Sequence, residues 1–108
     1  MKKERRIRKN LEFQAIINEK RFQANDHFVI YYRPKSQETN RIGISVGKKI
    51  GKAVIRNKIK RQIRAMLREK DFQNLSFDCI IIVRPKFLDQ PYQNNQESLR
   101  HLIASIRD

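Results

Sequence analysis

Apolar residues recur at helical spacing near both ends of the chain. In a segment from residue 11 to about residue 20, Phe13, Ile16 and Ile17 fall at i, i+3 and i+4, the spacing of one helical face. A second segment, from about residue 95 to residue 107, keeps this spacing with Leu99, Leu102, Ile103 and Ile106. The pattern predicts one amphipathic helix at each end of the chain.

Three segments between these helices have the composition of β-strands. Residues 27 to 33 are rich in β-branched and aromatic side chains and stop at Pro34. Residues 41 to 47 alternate apolar residues with small or polar ones, as a half-buried strand does. Because polar turn residues join these two segments, we expect them to pair as a hairpin. Residues 77 to 83 form a continuous apolar run, which predicts a central strand buried on both faces.

A strongly basic helix is predicted between the second and third strands. No acidic residue occurs between Glu38 and Glu69, a stretch that holds ten of the 25 cationic residues. Like charges at i, i+4 on a helix repel, and an ordinary solvated face would mix both signs. A projection at about 100° per residue gathers one apolar arc that we expect to face the core, made of Ile55, Ile59, Ile63, Met66 and Leu67. The order of elements is therefore α-β-β-α-β-α, which predicts an α+β fold.

The charge of the chain indicates a polyanionic partner. Its 108 residues carry 25 Lys and Arg against 11 Asp and Glu, a formal net charge of +14. This is more than solubility requires, and it opposes folding through self-repulsion. Nucleic acid and an anionic membrane surface both qualify as partners that neutralise it. The length predicts a single domain over residues 1–108, in which we expect residues 1–9 to form a mobile basic arm.

Several other classes do not fit the sequence. The longest apolar run, residues 79 to 83, is far shorter than the about 20 residues of a membrane-spanning helix. No apolar stretch follows the basic N-terminal residues as in a signal peptide, so we expect a cytoplasmic protein. The single cysteine, Cys79, excludes an intrachain disulfide and a Cys-based zinc site, and we expect it to be buried in its strand. Gly51-Lys52 resembles the end of a phosphate-binding loop, but Ala53 replaces the Ser or Thr that would hold magnesium.

The basic segment and its flanks resemble a known family. The run from residue 43 to residue 61, with Arg56-Asn57-Lys58 at its centre, is similar to the signature of the bacterial ribonuclease P protein. Flanking segments at residues 10–14, 24–31 and 80–85 match in the same order, so the resemblance covers roughly residues 6 to 106. It implies a single RNA-binding domain folded as a two-layer sandwich with a left-handed crossover, of the ribosomal-protein-S5-domain-2-like kind.

The resemblance implies a protein subunit of a ribonucleoprotein that removes the 5′ leader from precursor tRNA. In that family RNA and magnesium perform the cleavage, so this chain would bind as a subunit of the endoribonuclease and supply no catalytic residue. The implied partners are the ribonuclease P RNA and precursor tRNA, with one protein per RNA. The implied contacts to the catalytic RNA are Lys52, Arg56, Asn57, Lys58, Lys60, Arg61, Arg64 and Arg68. Asn57 would lie near a magnesium ion held mainly by the RNA, or is simply a tolerated surface residue.

The resemblance also implies a cleft between the sheet and the first helix that receives the single-stranded leader. Carried over by position, its residues are Phe13, Ile17, Tyr31, Ser45, Lys49 and Arg84. Phe13 and Ile17 would equally fit the core of the first helix, and Tyr31 and Tyr32 point to opposite faces of their strand. Ile17 stands where the family often has an aromatic residue, which removes a stacking surface worth ~1–3 kcal/mol per base.

Two other functions compete with this interpretation. A protein-only nuclease would need clustered carboxylates or a histidine base, and the only acid–histidine neighbours are Asp26 and His27, which should face opposite sides of a strand. A structural RNA binder such as a ribosomal protein would carry the same charge. A double-stranded-RNA-binding domain fits less well, because its three strands follow one another without an intervening helix.

Overall fold

The computed structural model describes residues 5–106, in which three α-helices pack on a four-stranded mixed sheet. The helices are α1 (Asn10–Asn18), α2 (Ala53–Met66) and α3 (Tyr92–Ala104). The strands are β1 (Phe22–Ala24), β2 (Phe28–Pro34), β3 (Ile42–Ser45) and β4 (Phe77–Val83). Short 3-10 turns occupy Lys48–Ile50, Lys70–Phe72 and Pro85–Asp89. The predicted α+β class and order of elements are confirmed, with β1 as one additional strand.

The strand order is β1-β2-β4-β3, so β4 lies at the centre of the sheet as predicted. It pairs antiparallel with β2, where Phe28 lies opposite Val83, and parallel with β3, where Ile42 lies opposite Cys79. The predicted hairpin between β2 and β3 is therefore wrong. Every β4 side chain except Ile82 is buried, and a central position buries a strand with two apolar faces more completely than an edge position does.

The strand that the sequence pattern missed, β1, lies at the edge of the sheet. Its three residues are all exposed, and Phe22 lies opposite Tyr31 in an antiparallel pair with β2. Three exposed residues show no alternation of apolar and polar positions. Nothing in the pattern therefore distinguished this segment from a loop.

The larger core lies between the sheet and the helices α2 and α3. From α2 it takes four of the five residues predicted to face it, Ile59, Ile63, Met66 and Leu67. The fifth prediction is wrong, because Ile55 is 43% exposed. Ile55 lies in the first turn of α2, which faces residues 87 to 92 instead of the strands. Cys79 is fully buried in this core as predicted, and desolvation raises the pKa of its thiol to about 12.

The opposite face of the sheet carries α1 and a smaller apolar cluster of Ile7, Ile16 and Ile80. Ile7 is buried, and its backbone N–H donates to the carbonyl of Ile42 at 3.0 Å. Arg6 forms a parallel bridge with the same residue. The predicted mobile arm is therefore wrong for residues 6 and 7, which are bound to Ile42 at the outer edge of β3. Residues 1–4 lie outside the described part of the chain.

Candidate nucleic-acid interface

A cleft of about 580 Å³ opens between α1, β3, α2 and the residues that precede α1. Its lining combines apolar and cationic side chains. Phe13 and Ile17 come from α1 and Ser45 from β3, so the structure brings together three of the six predicted leader-binding residues. The cationic side chains that line the same cleft are Arg6, Arg8, Lys60 and Arg64. The cleft thus offers apolar surface for bases beside positive charge for phosphates.

The apolar part of the cleft depends on the absence of a side chain at Gly43. The ring of Phe13 lies so close to this residue that a Cβ atom there would be 2.7 Å from Phe13 Cζ and 2.8 Å from Ile80 Cδ1. Glycine therefore lets α1 approach the sheet and lets the ring lie against β3. Phe13 is half-buried in this position, so it both packs against the small cluster and lines the cleft.

The cationic part of the cleft contains two arginines that have few partners in the protein. The Nε atoms of Arg6 and Arg64 are buried and lack a hydrogen-bond partner among residues 5–106. Desolvation, together with the positive charge of Arg6, lowers the pKa of Arg64 below its ordinary value. Two neighbouring guanidinium groups without a carboxylate between them favour an external anion.

The eight residues predicted to hold the catalytic RNA do not share one environment. Lys60 and Arg64 line the cleft, whereas Lys58 lines a separate groove on the other side of α2. The exposed ridge between these two concave surfaces carries Asn57 and Arg61, and Arg68 is exposed just beyond the C-terminal end of the helix. The remaining two lie at the start of the helix: Lys52 caps α2 without a side-chain hydrogen bond, and Arg56 Nε donates to the Gly51 carbonyl at 3.1 Å.

The other three predicted leader-binding residues lie outside the lining of the cleft. Tyr31 is on the face of the sheet that carries α1, where its ring lies 5.3 Å from that of Phe22. Tyr32 is buried on the other face, so Tyr31 is the tyrosine available on the cleft side. Lys49 and Arg84 are exposed beyond the ends of β3 and β4, and these ends lie together because the two strands are parallel. Their role in leader binding stays a prediction.

Arg84 is held by a hydrogen-bonded network that reaches α3. Its Nη1 donates to the Asn25 carbonyl at 2.8 Å, and the Asn25 Oδ1 atom accepts from the backbone N–H groups of His27 and Phe28. His27 Nδ1 lies 3.0 Å from Oδ1 of Asn95, which is fully buried in α3. Since the Asn95 amide nitrogen donates to main-chain carbonyls, its oxygen must accept, and Nδ1 carries the histidine proton.

The acid–histidine pair considered for a protein-only nuclease does not converge on one site. Asp26 lies 4.0 Å from Lys86 Nζ, whereas His27 is engaged with Asn95. Within residues 5–106, no group of three or more His, Cys, Asp or Glu side chains could hold a metal ion. No helix in that range is long and apolar enough to cross a membrane.

The residues that the sequence analysis missed are Arg6 and Arg8, which line the cleft from the segment before α1. This segment is fixed by Arg41, whose guanidinium donates to the Arg6 carbonyl at 3.2 Å and forms a two-point ion pair with Glu12. The hydrogen bond from Arg41 lowers the pKa of Glu12. A single apolar residue between two cations, Arg6-Ile7-Arg8, is the strand-like signal that could have indicated it.

Comparison with known proteins gives one consistent family. The sequence matches the family model described as Ribonuclease P over residues 1–107. It is 49% identical to the Ribonuclease P protein component of Mycoplasma mycoides over 99% of this chain and 100% of that protein, and 43% identical to that of Streptococcus pyogenes over 95% and 87%. The fold is similar to that of the RNase P protein of Staphylococcus aureus, with 39% sequence identity and a TM-score of 0.84 over 96% of this chain and 98% of that one. It is also similar to that of the RNase P protein of Thermotoga maritima, with 31% sequence identity and a TM-score of 0.83 over 95% of this chain and 98% of that one. The chain belongs to the family of ribonuclease P protein components.

Proposed function

We propose that this chain binds the ribonuclease P RNA through α2 and the 5′ leader of precursor tRNA in the cleft beside α1. Its role is to hold both RNAs while the RNA component removes the leader and leaves a mature tRNA 5′ end. The observation that carries this proposal is the composition of the cleft. There the half-buried ring of Phe13 lies beside Arg6 and Arg64, whose buried Nε atoms lack partners among the described residues.

The case for RNA binding by α2 rests on its charge. The helix contains no Asp or Glu, its exposed ridge carries Asn57 and Arg61, and Arg68 is exposed just beyond its end. Such a surface gains favourable contacts by meeting phosphates and releasing their counterions. With about six to ten phosphate contacts, affinity should fall about 10³- to 10⁵-fold between 50 and 200 mM salt. An affinity that does not change with salt would contradict this assignment.

The case for leader binding rests on the face of the sheet that carries α1. Single-stranded RNA is held by aromatic stacking beside cations that contact the backbone, and the cleft provides both through Phe13 and the basic wall. Tyr31, Lys49 and Arg84 extend this surface beyond the cleft along one side of the sheet. The leader is therefore expected to cross the sheet face from the cleft toward Arg84.

Magnesium belongs to the RNA component in this proposal. Asn57 contributes one exposed amide to a helix without carboxylates, whereas magnesium prefers several oxygen ligands. The chain's own residues on α2 therefore do not form a magnesium site. We expect one protein per RNA and action in the cytoplasm.

The decisive experiment adds the protein to a ribonuclease P RNA at low magnesium concentration and measures leader cleavage from precursor tRNA. Stimulation of cleavage by the protein, with no cleavage by the protein alone, is the expected result. Cleavage without added RNA would indicate a protein nuclease. Recovery of ribosomal RNA in place of ribonuclease P RNA in a pull-down would favour a structural binder.

Substitutions on α2 test which surface holds the RNA. Arg61→Ala and Arg64→Ala should each weaken RNA binding and reduce the dependence of affinity on salt by about one phosphate contact. Arg100→Ala is the matched control, because Arg100 lies on α3 and already pairs with Asp71 and Glu97. Equal RNA affinities for all three variants would remove α2 from the interface.

A further inference from the structure

A groove of about 230 Å³ lies on the side of α2 that faces away from the cleft. It is formed by the first turns of α2 and by residues 87 to 92, which lead into α3. Its floor is apolar and buried, with Ile59 and Phe87. Its rim carries three larger apolar side chains, Ile55, Leu88 and Tyr92.

The rim is unusual because its apolar side chains remain in contact with solvent. Ile55, Leu88 and Tyr92 are 43%, 50% and 39% exposed, and they make up three of the six exposed large apolar residues within residues 5–106. Single exposed apolar residues are normal on a protein surface. Three that converge on one concave surface indicate a binding site.

We propose that this groove holds one unpaired nucleotide of the ribonuclease P RNA, with its base stacked on the Tyr92 ring and its phosphate at Lys58. The inference rests on the proposed function, because it adds a base contact to the RNA that α2 holds. The groove is smaller than the roughly 300–1,000 Å³ of sites for drug-sized ligands. A single base therefore suits it better than a larger ligand.

The polar groups around the groove favour a nucleotide. Lys58, Gln62 and Gln90 line it, and no carboxylate is among its lining residues in the described part of the chain. The lysine supplies charge for a phosphate, and the Gln62 amide can both donate to and accept from a base edge. An aromatic ring beside such groups is the usual arrangement for an unstacked RNA base.

The position of the groove also favours RNA over a second copy of this chain. Lys58 lies on the same helix as Arg61, so an RNA strand that crosses the exposed ridge of α2 passes both cations before it reaches the groove. A second copy would instead bring another chain of net charge +14 against this surface. Like-charge repulsion opposes that contact.

The test compares Tyr92→Ala with Tyr92→Phe in binding to ribonuclease P RNA. Loss of the ring should lower affinity about 5- to 150-fold without changing the salt dependence, whereas phenylalanine keeps the ring and the affinity. Lys58→Gln should instead reduce the salt dependence by about one phosphate contact. Leu11→Ala is the control, since Leu11 is 86% exposed on α1 and lies outside the groove.

A second variant and a second measurement protect the test from a folding defect. Leu88→Gln changes the rim at a half-exposed position outside the α-helices and should also weaken RNA binding. Chemical probing of the RNA should show one unpaired nucleotide that is protected by the wild-type chain and by Tyr92→Phe but not by Tyr92→Ala.

The possible outcomes separate this inference from the proposed function. If the wild-type chain does not bind ribonuclease P RNA, the proposed function fails. If it binds and stimulates cleavage but folded Tyr92→Ala and Leu88→Gln bind equally well, only the groove assignment is overturned. Loss of self-association in these variants, with RNA affinity unchanged, would assign the groove to a second copy and also overturn it.

Discussion

The face of the sheet that carries α2 and α3 differs from the face that carries α1 in how completely its apolar residues are covered. On the first face Phe28, Ile30 and Ile81 are fully buried. On the second face Ile80 is fully buried, but Tyr31 and Ile82 are only partly buried. The helix over this face, α1, is nine residues long, and Ile16 is its one buried residue. Burial stabilises the fold, and incomplete burial leaves apolar surface for a ligand. The first face thus supplies most of the buried core, whereas the second face keeps apolar surface for the proposed leader.

The strongest test of this division is Phe28→Ala on the fully covered face. Phe28 has no exposed surface, and its ring packs edge-on against Phe87 at 5.8 Å. Its removal should lower the free energy of unfolding by about 3–5 kcal/mol, a large part of the ~5–15 kcal/mol typical of a domain. Urea unfolding measures the change. A loss below about 1 kcal/mol would show that this face is not the main source of stability.

A smaller effect is expected where α1 meets the sheet. Gly43→Ala places a Cβ atom against the Phe13 ring and should destabilise the protein by about 1–3 kcal/mol while displacing the ring from the cleft. Gly47→Ala is the matched control, because a Cβ atom there has no neighbour within 4 Å. Thermal unfolding of both variants decides the comparison, and equal stabilities would contradict the close packing of Phe13 on β3.

Removal of the aromatic ring itself should affect substrate binding more than stability. Phe13→Ala is expected to raise KM for precursor tRNA with a leader by about 5- to 150-fold, the effect of one lost base stack, and to change KM little for a substrate without one. Its loss of unfolding free energy should be smaller than that of Phe28→Ala, since Phe13 is only half-buried. Equal changes in KM for both substrates would remove Phe13 from leader binding.

The smallest effect concerns the ion pair that ties α1 to the edge of the sheet. Because the hydrogen bond from Arg41 lowers the pKa of Glu12 below its ordinary 4.5, the pair stabilises the folded state above that pH. This contribution is lost as the pH falls through the lowered value. Glu12→Gln should therefore be less stable than wild type by ~0.5–1 kcal/mol at about pH 7. At about pH 3, urea unfolding should show a smaller difference in the free energy of unfolding between Glu12→Gln and wild type. The same difference at both pH values would mean that the charge of Glu12 contributes nothing to stability.

Long periodic elements were predictable from the sequence, whereas strand pairing was not. The apolar spacing of α2 and the continuous apolar run of β4 identify both elements, because burial acts on every residue of a long segment. The hairpin expected between β2 and β3 does not form, although a short connection favours pairing of neighbouring segments. Instead β4, which is apolar on both faces, lies between these two strands. Pairing depends on distant segments that no local pattern describes.

The candidate site shows the same limit at the level of single side chains. The resemblance named Lys58, Lys60 and Arg64 as one set of RNA contacts. In the structure Lys60 and Arg64 line the cleft, whereas Lys58 lines the groove on the other side of α2. Ile55 follows the apolar period of its helix, yet it lines the groove together with residues 87 to 92. The face of the helix on which each residue lies was predictable, but the part of the protein that packs against that face was not.

The strand order has a consequence for the synthesis of the protein. The central strand, β4, is the last strand made, and both β2 and β3 need it as a partner. It must therefore enter between two earlier strands and join residues as distant in the chain as Phe28 and Val83, a topology that slows folding. Until β4 leaves the ribosome, α2 has no complete sheet to pack against. The nascent chain therefore exposes its cationic helix before the sheet that orients this helix is complete.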